Sequence, residues 1–287
     1  MLCEAVNMTR YHALALTTAY WKPKTDYLTA IVEAVAKKVR DGDFVVVSEK
    51  AISTARGNIV DESKVQPTLT AKLLATLWMS VVWGYSLGIL SRFGKRLLYR
   101  IRTYPRENGS RHKQTALEHA GLPQALMFGS EGGIDGSNLP YSLVSLPLQD
   151  SQVVAEAIRQ WIVQQLGKRV TVVIVDTDKT YSFRNFYFTP RPKPMNGINS
   201  LGGVVAYVVG RAFNLRRRST PLAVAGVHLP VETALTIANV ADKARGPGSG
   251  ATVWDMAARF KVPSTGVSWD MLAQLKHKPI VIVRKTP

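Results

Sequence analysis

Apolar and polar positions follow two periods along this chain. Tyr11 to Ala19 (YHALALTTA) alternates with a period of two, which predicts a strand. After a Trp/Lys/Pro loop, Leu28, Ile31, Val32, Val35 and Val39 recur at helical spacing, with Thr25 or Asp26 as the N-cap. Asp41-Gly42-Asp43 predicts a turn and Phe44–Ser48 a buried strand, and the next stretch, SEKAISTARGNIVDES, a polar loop of functional character. Helical patterning dominates from about Thr68 to His119, broken by Pro105 and by a Glu107-Asn108-Gly109-Ser110 turn. Leu143–Leu148 predicts a short strand closing at Pro147. Ser151 caps an amphipathic helix that Gly167 ends near Leu166, and the β-branched run Val170–Val175 is a buried strand. Residues 189–203, rich in Pro, Gly and Asn, predict a long loop or lid. Beyond them come a strand at Leu222–Val227, a helix at Val231–Ala244 and a flexible RGPGSG connection at Arg245–Gly250. Short helical pieces near 252–260 and 268–276 precede a last strand, Pro279–Arg284. Strands and helices alternate without a regular βαβ cadence, so the expected class is α+β, with mixed or antiparallel sheets and packed helices. Residues 1–287 are expected to form a single unit carrying an elongated, basic helical insertion at about 68–125.

Leu73–Ser91 (LLATLWMSVVWGYSLGILS) carries no charge, and Lys72 and Arg92 flank it. Its length is that of a membrane span, but Thr76, Ser80, Gly84, Tyr85, Ser86 and Gly88 dilute its hydrophobicity. A helix buried on most sides, inside the protein or a dimer core, is preferred to a membrane contact because no other spanning segment accompanies it.

With 46% apolar and 20% charged residues, the composition is that of an ordinary globular protein. Cys3 is the only cysteine, which excludes an intramolecular disulfide and a thiolate metal cluster, and no signal-peptide pattern opens the chain, so a cytoplasmic protein is expected. The formal net charge of +17 changes the picture more. Eight basic residues and one acid, Glu107, lie between Arg92 and Lys113, and Arg211 with Arg216, Arg217 and Arg218 forms a second knot. Such a field attracts a polyanionic small molecule, nucleic acid or an anionic membrane, and a solvated basic surface accounts for it equally well. The histidines His12, His112, His119, His228 and His277 are scattered and are assigned structural or surface roles. No Ser-His-Asp or Cys-His order points to covalent catalysis, and no catalytic residue is assigned.

The chemistry concentrates in two segments. Gly129–Pro140 (GSEGGIDGSNLP) is a glycine-rich loop holding Asp135 beside Ser137 and Asn138. About forty residues later VTVVIVDTD delivers Asp176 and Thr177 at the expected end of a strand. Two carboxylates placed this way can share hard divalent cations, and glycines let phosphate oxygens approach the backbone. Glu131, four residues before Asp135, is a candidate supporting acid or an exposed one. Each feature also has an ordinary reading, since Asp-Gly-Ser-Asn is a common turn and a strand-end aspartate can cap the next segment.

Taken in order, DGDFVVVSEKAISTARGN, GGIDGSN and GKRVTVVIVDT resemble the corresponding motifs of the coenzyme F(420) γ-glutamyl ligases, over about a quarter of the chain. The resemblance implies the α+β fold of that family and a GTP-dependent ligase that joins glutamate to an acidic, phosphate-bearing acceptor through an acyl phosphate. It implies metal binding (Mg²⁺ or Mn²⁺) by Asp135, Asp176 and Thr177, nucleotide binding by Ser48, Lys50 and Asn138, and a homodimer. Departures accompany it. The family's second loop lysine falls on Thr54 and its glutamate on Arg56, while Lys50 matches the first lysine. Thr17–Lys22 (TTAYWK) stands where the family has a Pro/Gly nucleotide loop, and RGPGSG stands at best for a later acidic loop without its carboxylate. A relative that binds metal and a phosphorylated ligand but has lost GTP-dependent ligation is therefore the alternative, with a protein bound to RNA or to a membrane surface as a third reading.

Overall fold

The computed structural model describes residues 10–129, 131–250 and 252–286, so Cys3 and Ser130 lie outside the described residues. The strands are β1 (Arg10–Thr18), β2 (Phe44–Ser48), β3 (Ile59–Asp61), β4 (Leu143–Ser145), β5 (Thr171–Phe183), β6 (Phe186–Thr189), β7 (Asn199–Ser200), β8 (Arg216–Ala225) and β9 (His277–Thr286). The main sheet runs β1-β9-β2-β5-β6-β7, with β8 also paired to β5, and β3 and β4 form a separate antiparallel ladder. β2 pairs parallel with β5, while the β1–β9, β2–β9, β5–β6 and β5–β8 pairs are antiparallel. The class is therefore mixed α+β.

The continuous β-branched runs at the sheet centre are explained by helices on both faces. Val45, Val47, Val172, Ile174, Ile280 and Ile282 pack against the helices Tyr27–Val35 and Ser151–Leu166 through Ile31, Val35, Val154, Ile158 and Ile162. The alternate residues Val46, Val173, Val175, Val281 and Val283 meet Ala234, Ile237, Ala238 and Ala241 of the helix Val231–Arg245. Each buried aliphatic side chain contributes about 1.5–3 kcal/mol, so these faces hold the scaffold on which the site is built. The expected stop and start signals hold: Asp26 accepts a bond from Thr29 N at the first helix, and Gly167 ends the helix Ser151–Leu166 at φ 65°.

Several expectations are corrected. The stretch expected to be a polar loop contains the helix Glu49–Ala55, whose Glu49, Ser53 and Thr54 are buried alongside Ala51, Ile52 and Ala55. Glu49 is partnered inside the protein by Arg191, and Thr54 by the Lys50 carbonyl, which composition alone does not reveal. No turn interrupts Glu107–Ser110, because the helix Arg106–His119 begins just after Pro105 and runs through it. Gly109 is there for packing: a Cβ would lie 2.3 Å from Cε1 of Tyr104. The arginine knot is divided: Arg211 lies in the helix Val204–Ala212, and Arg216–Arg218 are strand rather than loop, with Arg216 and Arg217 exposed. These three open β8, and Arg218 is buried with Nη1 donating to Glu232 Oε1 at 2.6 Å.

The apolar segment forms the helix Leu69–Leu90, which among the described residues is the one long and apolar enough to cross a membrane. Its central part, Leu74–Leu87, has π-helical hydrogen bonding. It is not buried on most sides, since a third of its most apolar stretch is buried. Leu74, Ala75, Met79, Trp83 and Gly84 face inward, and the Trp78 and Trp83 indoles both donate to the Leu126 carbonyl, at 2.7 and 2.8 Å. Leu69, Leu73, Leu77, Val81, Tyr85 and Ile89, one every fourth residue, form an exposed apolar stripe on the other side.

Candidate active site

The parallel register of β2 and β5 sets the site. Ser48 lies opposite Val175, so the helix beginning at Glu49 leaves the sheet beside Asp176 of β5. Asp176 and Thr177 are not at a strand end, because β5 continues to Phe183. The pairing with β8 instead skips there, Asp176 opposing Thr220 and Lys179 opposing Ser219, which leaves Thr177 and Asp178 in a bulge. Bulges re-aim side chains, and this one turns a mid-strand acid toward a cavity.

The glycine-rich loop is anchored to β4 by paired bonds between Asp135 and Ser145, with Ser145 N to Asp135 O at 3.1 Å. Asp135 closes a tight turn: Oδ1 accepts from Ser137 N at 2.7 Å and Oδ2 from Ser137 Oγ at 2.9 Å. The Lys50 ammonium donates to Asp135 Oδ2 and, at 2.8 Å, to Ser137 Oγ. Thr54 sits one helical turn from Lys50 and donates to its carbonyl at 2.9 Å, while Arg56 turns away to Asp150 at 2.8 Å. Lys50 is thus the loop cation that reaches the acid.

Asn138 occupies the left-handed region at φ 60°. Its Oδ1 accepts from Ser249 N at 2.7 Å and from Ser249 Oγ, which docks the RGPGSG loop onto the glycine-rich loop. Tyr20 Oη donates to the Asn138 carbonyl at 2.7 Å, so the TTAYWK segment joins the same wall. All six candidate residues, Ser48, Lys50, Asp135, Asn138, Asp176 and Thr177, line one cavity of about 910 Å³. Lys179, Lys243, Arg245, Lys276 and Lys278 also line it, and these cations were not foreseen because they come from three distant segments. Asp242 accepts from Lys179 at 3.0 Å and from Arg245 at 2.7 Å. Burial opposes ionisation of Asp242, but these two cations outweigh it and hold its carboxyl below the usual range.

Beneath the cavity lies a buried charge cluster that the sequence did not announce. Arg191, 1% exposed, comes from the stretch expected to be a lid. Its guanidinium donates to Glu49 and to the Gly132 carbonyl, and its Nε stands 3.1 Å from Asp176 Oδ2 without hydrogen-bond alignment. Burial, and then the charge of Asp176, push the Glu49 carboxyl up to about 7 against the pull of Arg191. Asp176 lines the cavity, and among the described residues its Oδ2 has no hydrogen-bond donor. Both features fit a cation at this edge. Among the described residues no three His, Cys, Asp or Glu side chains converge as a ready-made metal cage. That suits Mg²⁺ or Mn²⁺ held by one or two carboxylates and completed by phosphate oxygens.

At the far end of the cavity His112 lies between two acids, Nδ1 2.7 Å from Glu62 and Nε2 2.8 Å from Glu131. Burial opposes its protonation, but the two carboxylates override it and hold the imidazole well above its ordinary range. Glu131 is buried rather than exposed and also accepts from the buried Lys113 at 2.7 Å. Although burial disfavours its charge, Lys113 and His112 bring its carboxyl down to about 2. His277 shows the opposite case, its imidazole lowered to about 4 by burial against Tyr20 and Trp21.

A mixed sheet covered on both faces, with acids and cations gathered around one cavity beside the end of β2 and the bulge of β5, defines an α+β protein with a large charged cavity. The chain matches the family described as F420-0:Gamma-glutamyl ligase over residues 15–225, and it belongs to that family. It is 34% identical over 285 residues to the uncharacterized protein MJ1361 of Methanocaldococcus jannaschii, covering 95% of this chain and 96% of that protein. It is 29% identical over 153 residues to the coenzyme F420:L-glutamate ligase of Archaeoglobus fulgidus, covering 52% of this chain and 53% of that protein. Family membership supports a ligase role.

Proposed function

We propose that this protein is a metal-assisted, GTP-dependent ligase that joins an amino acid such as glutamate to an acidic, phosphate-bearing acceptor. The observation that carries the reading is the placement of Asp135 and Asp176, far apart in sequence, on one cavity whose lining also includes Lys50, Lys179, Lys243, Arg245, Lys276 and Lys278 beside the acids Glu62, Glu131, Asp178 and Asp242. In the proposed reaction a carboxylate oxygen of the acceptor attacks the terminal phosphoryl group of GTP, releasing GDP and leaving an acyl phosphate. The amine of the second substrate then attacks the acyl carbon, phosphate departs, and an amide forms. Asp135, Asp176 and the Thr177 hydroxyl would hold a divalent cation, which when bound neutralises phosphoryl charge and polarises the acyl oxygen. Lys50, held at Asp135 and Ser137, would contact a phosphate oxygen, with Ser48 beside it. The other lysines and the arginine that line the cavity would neutralise the remaining phosphates. Asn138 would contact the nucleotide through its amide nitrogen, since Ser249 engages its oxygen.

A second reading, binding of metal and a phosphorylated ligand without GTP-dependent ligation, is favoured by Thr54 at the family's lysine position and by the absence of a carboxylate from RGPGSG. Titration of Mn²⁺ and GTP into the parent, Asp135→Ala and Asp176→Ala proteins separates the two. Metal-dependent GTP binding that both variants lose supports the ligase. Metal binding without any GTP response leaves the second reading, and variants indistinguishable from the parent remove both.

The proposed partner on the exposed stripe is a second copy of the chain. Leu69 and Ile89, Leu73 and Tyr85, and Leu77 and Val81 are placed symmetrically about residue 79, so antiparallel pairing would set apolar on apolar at each turn. Thr76, Ser80 and Ser86 flank the stripe where a helix lying in an anionic membrane surface would carry Lys or Arg along its length. Much of the basic run is also engaged within the protein: Lys113 is buried, Arg100 pairs with Asp255, and Arg102 lies over Tyr85.

A further inference from the structure

We infer that Arg191 is a positioning residue that fixes the Asp176 segment and the glycine-rich loop relative to each other, and so sets the geometry of the proposed metal pair. The inference rests on the reading of Asp135 and Asp176 as that pair. Arg191 is the point where four stretches of chain meet. It belongs to the turn after β6, and it reaches Glu49 at the start of the helix after β2, Asp176 next to the β5 bulge and the Gly132 carbonyl three residues before Asp135. Glu49 extends the connection, since its Oε1 accepts from Leu148 N at 2.7 Å and so ties in the stretch after β4. The Arg191 backbone N donates to Thr189 Oγ1 at 3.2 Å, which fixes the turn from which the side chain extends.

The loop is shaped to receive this side chain. Gly133 has φ 101°, and a Cβ on it would lie 1.5 Å from Nη1 of Arg191. No side chain other than hydrogen leaves room for the guanidinium against the backbone here. The planar fork also explains why arginine rather than lysine stands at this position. The guanidinium bonds the Glu49 carboxylate and the Gly132 carbonyl through different nitrogens while its Nε edge stands beside the Asp176 carboxylate, and an ammonium at the end of a flexible stem cannot hold all three contacts in fixed directions. Partners that orient a metal ligand in this way typically change metal affinity about 10–100-fold when altered.

The test uses Arg191→Lys, which keeps the buried charge and loses the fork, and Gly133→Ala, which displaces the fork from the other side. Each is compared with the parent by thermal melting, Mn²⁺ titration calorimetry, Mn²⁺ electron paramagnetic resonance and hydrogen–deuterium exchange of the metal-free protein. The expected result is faster exchange at residues 131–138 and 176–179 in both variants, with a cooperative melt retained, lowered modestly in Arg191→Lys and further in Gly133→Ala. Mn²⁺ binding should weaken about tenfold or more, and the resonance line shape should change in the fraction that still binds. Parent-like exchange in those two segments with parent-like Mn²⁺ affinity would overturn the inference. If the parent itself binds no Mn²⁺, the metal reading of the site fails separately, and the exchange data still decide whether Arg191 positions the two segments.

Discussion

Ser48 on β2 and Val175 on β5 are direct partners in a parallel ladder, and this pairing brings Lys50 and Asp176 to one cavity although 125 residues separate them in the chain. Neither residue has a local reason to be near the other. The register of two buried strands supplies it.

Lys50 is expected to serve the anion rather than the fold. It is partly exposed, and among the described residues its ammonium bonds to Asp135 and Ser137 of the glycine-rich loop. Lys50→Ala should therefore melt close to the parent yet weaken GTP binding about tenfold, the size of one charge-assisted hydrogen bond. Calorimetry with GTP and Mn²⁺ checks this. An unchanged affinity would remove Lys50 from the proposed nucleotide site.

The Glu62–His112–Glu131–Lys113 cluster predicts a stability that depends on pH at both ends. His112 is raised in the folded protein, so its contribution is complete below the unfolded value near 6.5 and is lost as pH rises through the higher folded value. Glu131 is lowered to about 2, so its contribution is complete above its ordinary value and is lost as pH falls toward 2. Denaturant melts across pH should show both slopes, and His112→Gln should remove the alkaline one. Glu131→Gln leaves Lys113 buried without its counter-charge, at a cost of about 3–5 kcal/mol.

Gly109 tests whether packing or helix propensity decides at one position. Alanine in a helix interior is about 1 kcal/mol better than glycine, which alone would make Gly109→Ala stabilising. The added Cβ, however, would lie 2.3 Å from the Tyr104 ring, and forcing a methyl into a filled space costs about 1–3 kcal/mol. Net destabilisation is expected in a chemical melt, and Gly109→Ala/Tyr104→Ala should restore the propensity gain.

The apolar stripe predicts the assembly state. Six side chains, each roughly half exposed, would bury on the order of 1,200 Å² between two copies, at the lower end of what a stable dimer needs. Leu77→Glu/Val81→Glu should convert a dimer to a monomer in sedimentation analysis without altering the melt of the sheet core. A parent that is monomeric at all concentrations would refute the second-copy partner.

The sequence by itself determined what depends on local pattern. The central strands, the capped helix before β2, the helix stopped by Gly167 and the last strand are written in periodicity, β-branching and stop signals, which act over a few residues. The resemblance of GGIDGSN and GKRVTVVIVDT, in order, was enough to point to the family and to Asp135 and Asp176 as the residues to follow. Tertiary structure decided whatever depends on a distant partner. Whether Glu49 lies in a loop or a buried helix depends on Arg191, 142 residues away, and whether Asp176 ends a strand or sits next to a bulge depends on β8. Glu131 and Lys113 read as surface charges until each is placed inside against the other. The apolar face of Leu69–Leu90 likewise could be divided into inner and outer halves only once Leu126 and Tyr207 were packed against it. Buried charge and partial burial are properties of pairs of segments, and a local pattern carries no record of which pairs will meet.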